Sequence, residues 1–217
     1  MALVCERQVD PERKRALVCR LRHEALPCPG RGLELVVYRR EVARAGSPEP
    51  GFEVELNTGP RVPFRTPFDP ADRASADGRL WYALDRNILH QSGISLLGPP
   101  AAETFAEVGP ADLRRLLVEA LEWWLDRPTP GADDEPAPGA EDAVLGAARA
   151  LVRLRHGVWL DKAGAGRRLL EAGTSSVIER SIAARQGGSP PTGGAARAYQ
   201  QEVVAAIRLA DAPTQPG

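Results

Sequence analysis

Hydrophobic positions along the chain follow two regimes. Up to about residue 60 they come in short runs and alternations, and beyond about residue 80 they recur three and four apart. LELVVYRR, 33–40, is apolar and β-branched, which predicts a buried strand. FEVELN, 52–57, alternates and predicts a half-exposed strand, with Glu53 and Glu55 on its outer side. Ahead of both, Asp10-Pro11-Glu12 has the composition of a helix start. Leu17, Val18 and Leu21 then share one side of a helix that ends near PCPGRG, and this helix is the one element expected before residue 33.

The second regime is helical. Leu80, Trp81, Leu84 and Ile88 form a stripe that stops at Gly93. Leu113, Leu116, Leu117, Leu121 and Trp124 mark the strongest helical period in the chain. A helix from Glu141 to His156 ends at Gly157, Asp161 caps another that runs to Gly173, and Ser175 begins a third. AARAYQQEVVAAIRLA predicts a terminal amphipathic helix. Residues 59–79 read as an excursion loop, and PTPGADDEPAPGA, 128–140, as a flexible acidic loop. With strands confined to the first quarter, the pattern predicts an α+β protein: a small α/β domain with a connecting helix over 1–108, then a helical domain over 109–217.

Composition changes this picture little. With a formal charge of -1 the chain has no bulk electrostatics for nucleic acid, so small-molecule chemistry or protein contact is the better expectation. Cys5, Cys19 and Cys28 are odd in number and lack Cys-x-x-Cys spacing, which supports neither a disulfide framework nor a zinc site. MALVCERQVD turns charged at once, and no run approaches the ~20 apolar residues of a membrane span. A soluble, cytoplasmic protein with no membrane partner is expected.

Three stretches carry a resemblance. They are GLELVVY at 32–38, SGISLLGPPAAETFAEV at 93–108 and VLGAARALVRLRHGVWLDKAGAGRRLL at 144–170. In this order they resemble the streptomycin/spectinomycin adenylyltransferases, which transfer AMP from ATP to a drug hydroxyl. The likeness implies a partial nucleotidyltransferase α/β domain followed by a helical bundle, with ATP and Mg²⁺ as cofactors and an aminoglycoside-like alcohol as substrate. It also implies site residues. Glu34 matches the family's general base, and Arg149 and Lys162 match positions that contact the ATP phosphates. Glu135, Glu141 and Asp142 lie where the family carries acids that contact the drug. A polycationic amino sugar needs fixed acidic groups of that kind. Gln186 falls where the family has an aromatic against the adenine. On a helical wheel Arg149 flanks the stripe of Val144, Leu145, Ala148, Leu151 and Val152, whereas Arg153 points away from it.

Gly46-Ser47 followed by Glu53 and Glu55 has the outline of a phosphate-holding turn and a metal-binding strand. Only five residues separate Ser47 from Glu53, and two prolines and a glycine among them cannot form the helix the pattern requires there. The stretch therefore reads as a decoy, and no metal ligand is assigned. The family's Gly-Ser turn and Asp-x-Asp strand precede the segment that LELVVY resembles, and neither motif stands in residues 1–32. Three readings follow: a longer reading frame in which Met1 is internal; a non-catalytic binding or interaction remnant; or a transferase built on Glu34, Glu53 and Glu55. An open edge on the LELVVY strand would invite homodimer pairing. The four tryptophans read as core, His156 as a helix-end cation, and His23 and His90 as structural.

Overall fold

The computed structural model describes residues 1–27, 30–127 and 133–209; Cys28 and the 128–132 part of the acidic loop lie outside them. The chain is α+β and divides into two compact units, Met1–Leu113 and Arg114–Gly217, with the break inside a helix.

In the first unit, β1 (Ala2–Cys5) leads to α1 (Pro11–Leu21), β2 (Leu33–Arg39), α2 (Arg40–Arg44) and β3 (Phe52–Thr58). After two single 3-10 turns come α3 (Trp81–Ser92) and α4 (Ala101–Thr104). The Asp10 side chain caps α1 by accepting from the Arg13 N–H, with Pro11 as the first helical residue. Strand β1, which the sequence reading passed over, pairs parallel with β2, which pairs antiparallel with β3. LELVVY is thus the central strand, and the open edge expected of it belongs to β1 instead. The outer edge of β3 is covered by the following loop, whose Arg65 and Pro67 carbonyls accept from the Asn57 and Glu55 amides.

β3 is the main departure from expectation. Every residue of it is buried, including Glu53 and Glu55. Leu56 lies opposite Leu35 and Val54 opposite Val37, but Phe52 lies opposite Tyr38, so Glu53 is an extra residue in the ladder. Such a bulge turns two successive side chains to one side and breaks the alternation. Val54 and Leu56 pack with Val18 of α1, Leu35 and Val37, whereas Phe52 joins Tyr38, Tyr82 and Phe105 on a second cluster. The buried face of α3 is formed by Tyr82, Ala83, Leu84, Arg86 and Asn87; of the predicted stripe Leu84 belongs to it, whereas Leu80, Trp81 and Ile88 are half-buried.

Helix α5 (Pro110–Leu125) crosses into the second unit, which then contains α6 (Ala140–His156), α7 (Lys162–Leu170), α8 (Ser176–Ala184) and α9 (Gly193–Leu209). α6 is its axis, packed by α7, α8 and α9 around Ala137, Ala140, Val144, Leu145, Ile178 and Ala196. Gly157 ends α6 in the left-handed region at φ 70°, a conformation that favours glycine. At Gly166 an added Cβ would lie 2.9 Å from Leu145 Cδ2, so a larger residue there would force that side chain to shift. The described part of the acidic loop is tied down rather than loose. The Ala137 amide donates to Pro191 and the Gly194 amide to Asp133.

Candidate functional site

The stretch that looks most like an active site is structural. Because of the bulge, Glu53 and Glu55 leave opposite faces of the sheet. Glu53 turns toward α1, where Lys14 Nζ lies 3.0 Å from its Oε2 and Arg39 Nε 2.7 Å from its Oε1; the Val9 amide also donates to it. Glu55 faces the other way, accepting from Arg65 and the Tyr82 hydroxyl, with Arg73 Nη1 at 3.4 Å. Burial, first, and the Glu55 bond, second, push the Tyr82 phenol far above its ordinary value.

The Gly46-Ser47 turn has the wrong polarity for a phosphate. A phosphate loop points N–H groups inward. Here the carbonyls of Ser47, Glu49 and Pro50 converge on the guanidinium of Arg86, which is 1 % exposed and also lies over the Tyr38 ring. An arginine fills the space that an anion would need. Glu34 sits on β2 opposite Asn57, on the sheet face opposite the α1 cluster, and is exposed. Among the described residues its carboxylate forms no ion pair.

The second unit gathers more of the expected residues. Asp142, Arg149 and Arg153 lie at i, i+7 and i+11 on α6, which is one helix face. The expectation that Arg153 points away fails for this reason: it stands four residues from Arg149 and is half-buried with it. Arg149 and Arg153 both approach the ring of Trp159, at 5.0 and 6.0 Å from its centroid. Trp159 is buried as expected, but its ring also serves as a platform for cations. From Trp159 the chain runs on to Asp161, which caps α7 by accepting from the Gly164 amide, and to Lys162. Lys162 Nζ donates to Asp142 Oδ1 at 2.8 Å, and Arg185 Nη1 donates to the same oxygen at 2.6 Å.

Two residues assigned to different ligands by resemblance, Asp142 and Lys162, therefore meet each other. The other two acids make contacts of their own. Glu141 accepts from the Gly139 amide at the start of α6, and Glu135 is an exposed residue whose carbonyl accepts from Gly193. Arg185 and Arg153 were missed in the sequence. The i, i+4 relation to Arg149 could have revealed Arg153, but Arg185 meets Asp142 across 43 residues with no local signal.

No family model and no curated protein matches the sequence. Among solved structures, the fold matches the crystal structure of spectinomycin adenyltransferase AAD(9) from Enterococcus faecialis with ATP and spectinomycin. The TM-score is 0.58, over 95 % of this chain and 82 % of that one, at 13 % identity. The two share a fold. At this identity the likeness shows the fold alone.

Proposed function

We propose that this protein binds ATP and acts in the manner of a nucleotidyltransferase on a polycationic alcohol of the aminoglycoside type. One observation carries the reading. Arg149 and Lys162 stand on a single basic, aromatic-backed surface of the helical unit, in a chain whose fold is shared with a protein solved with ATP and spectinomycin. In this account Arg149 and Lys162 hold the phosphates, Arg149 as a planar fork braced by Trp159 and Lys162 as a point charge. Glu135 and Glu141 offer acidic groups to the amino sugar, whereas Asp142 is already shared by two cations.

The reaction is in-line transfer. The alcohol oxygen bonds to the α-phosphorus of ATP, the bond to pyrophosphate breaks, and the alcohol proton passes to a base. Glu34, exposed on the central strand, is that base. A divalent ion would supply charge neutralisation on the phosphates. The described residues do not fit one. No three His, Cys, Asp or Glu side chains among them come together, and Glu53 and Glu55 are bound by protein cations on opposite faces. Those ion pairs also argue against a transferase built on Glu34, Glu53 and Glu55, and they favour a second reading, nucleotide binding without transfer.

An assay for AMP transfer from labelled ATP to spectinomycin or streptomycin, run beside ATP binding, separates the two readings. Binding with transfer that is lost in Glu34→Gln supports the first. Binding without transfer supports the second, and absence of binding refutes both.

A further inference from the structure

The proposed nucleotide site rests on Arg149 and Lys162, but the structure offers it a third cation. We infer that Arg185 is a phosphate ligand of the same site, and that Asp142 is a positioning residue rather than a contact for the substrate. The inference rests on the nucleotide reading above and adds to it a requirement for a polyphosphate.

Asp142 Oδ1 accepts from both Lys162, at 2.8 Å, and Arg185, at 2.6 Å. Two cations, Lys162 at the start of α7 and Arg185 just past the end of α8, thus converge on one carboxylate oxygen, and the three side chains together carry a net positive charge. None of the three side chains is buried: Lys162 is 31 % exposed, Arg185 42 % and Asp142 38 %. An exposed ion pair of this kind adds little to folding stability. Its effect is geometric, because it holds two long, flexible side chains side by side and facing solvent, an arrangement that lowers the entropic cost of binding an anion between them.

Asp142 and Arg149 are seven residues apart on one face of α6, a rise of about 10 Å. The segment from Trp159 to Lys162 runs along that face, so the Arg149 and Trp159 pair lies at one end of it and the Lys162, Asp142 and Arg185 group at the other. A single phosphate reaches one end. A linear polyphosphate engages both, with its terminal phosphate between Lys162 and Arg185 and the phosphate nearer the nucleoside at Arg149. The site is thereby selective for triphosphate over monophosphate, and that selectivity is the property a transferase must have to bind substrate rather than AMP.

The test is calorimetric titration of the whole chain with inorganic tripolyphosphate, ATP and AMP. The variants are Arg185→Gln and, as a control with the same charge change at an exposed position of the adjoining helix α8, Arg180→Gln. Loss of one charge-assisted contact predicts about tenfold weaker binding of tripolyphosphate and ATP in Arg185→Gln, with no change in Arg180→Gln. AMP, which reaches one end only, binds weakly to every form. Arg185→Lys recovers part of the loss, and the melting temperature of each variant matches that of the parent because the pair is exposed.

If ATP binds to Arg185→Gln as to the parent, this inference is overturned while the nucleotide reading stands. If tripolyphosphate binding depends on Arg185 but ATP binds no better than tripolyphosphate, the anion site is supported and the adenylate reading fails. If neither ligand binds the parent chain, both are overturned.

Discussion

Replacing Glu55 by Gln separates a structural carboxylate from a functional one. Glu55 is 3 % exposed and faces two arginines of different exposure. Arg65 is 45 % exposed, so solvent screens its pairing to about 0.5 kcal/mol. Arg73 is 6 % exposed and becomes an uncompensated buried charge when the carboxylate is neutralised, which costs about 3 kcal/mol. The Gln carbonyl still accepts from the Tyr82 hydroxyl, so that bond adds nothing to the loss. The sum lowers the midpoint of the first unit by on the order of 10 °C. Thermal unfolding followed by circular dichroism, together with urea titration to check that the m-value is unchanged, reads this directly. Adding Arg73→Met to Glu55→Gln removes the stranded charge and recovers part of the stability, a coupling that a double-mutant cycle measures. A carboxylate kept ready for metal or substrate would behave in the opposite way. An unchanged or raised midpoint in Glu55→Gln would refute the structural assignment and return FEVEL to the list of active-site candidates.

Other outcomes follow from the same reasoning. Arg86→Met leaves three part-buried carbonyls without their donor and lowers stability by about 2 kcal/mol, so a midpoint within about 0.5 kcal/mol of the parent contradicts the arginine-filled turn. Burial holds Tyr38 and Tyr82 far above the ordinary phenol value of 10.0 and pushes Tyr199 to about 12. Above about pH 10 the unfolded chain therefore releases protons that the folded chain keeps, and stability falls as pH rises. Urea midpoints should be flat from pH 8 to 9 and lower at pH 11; a midpoint unchanged at pH 11 contradicts the buried phenols. Beside the outer strand β1, Leu3, Ile94, Leu96 and Leu97 are exposed around a cavity of about 390 Å³. Self-association through that edge is expected in light scattering, weakened by Leu96→Glu with Leu97→Glu, and a monodisperse monomer at high concentration contradicts it.

The architecture was legible because long helices announce themselves by period. Leu113, Leu116, Leu117 and Leu121 are all buried, and Gly157 and Asp161 mark the helix ends the sequence placed there. β1 escaped because four residues are too few for a periodic signal. FEVELN misled for a different reason: alternation predicts which side a residue faces only while the ladder is regular, and the extra residue at Glu53 broke it. Its polar positions also looked solvent-facing, although buried carboxylates satisfied by Lys14, Arg39, Arg65 and Arg73 leave the same pattern. On α6 the residues of one surface were visible as types but not as partners. Asp142 reads with Glu135 and Glu141 as an acidic group, yet its neighbours in space come from α7 and from the residue that follows α8. Contacts across 20 and 43 residues leave no trace in local spacing.

The central claim is that the basic surface around Arg149 and Lys162 receives a nucleoside triphosphate. Calorimetric titration of the parent chain and of Lys162→Gln with ATP tests it most directly. Saturable one-to-one binding that weakens about tenfold in the variant is the predicted result. Equal affinity in both proteins, or no heat of binding in either, would contradict the account.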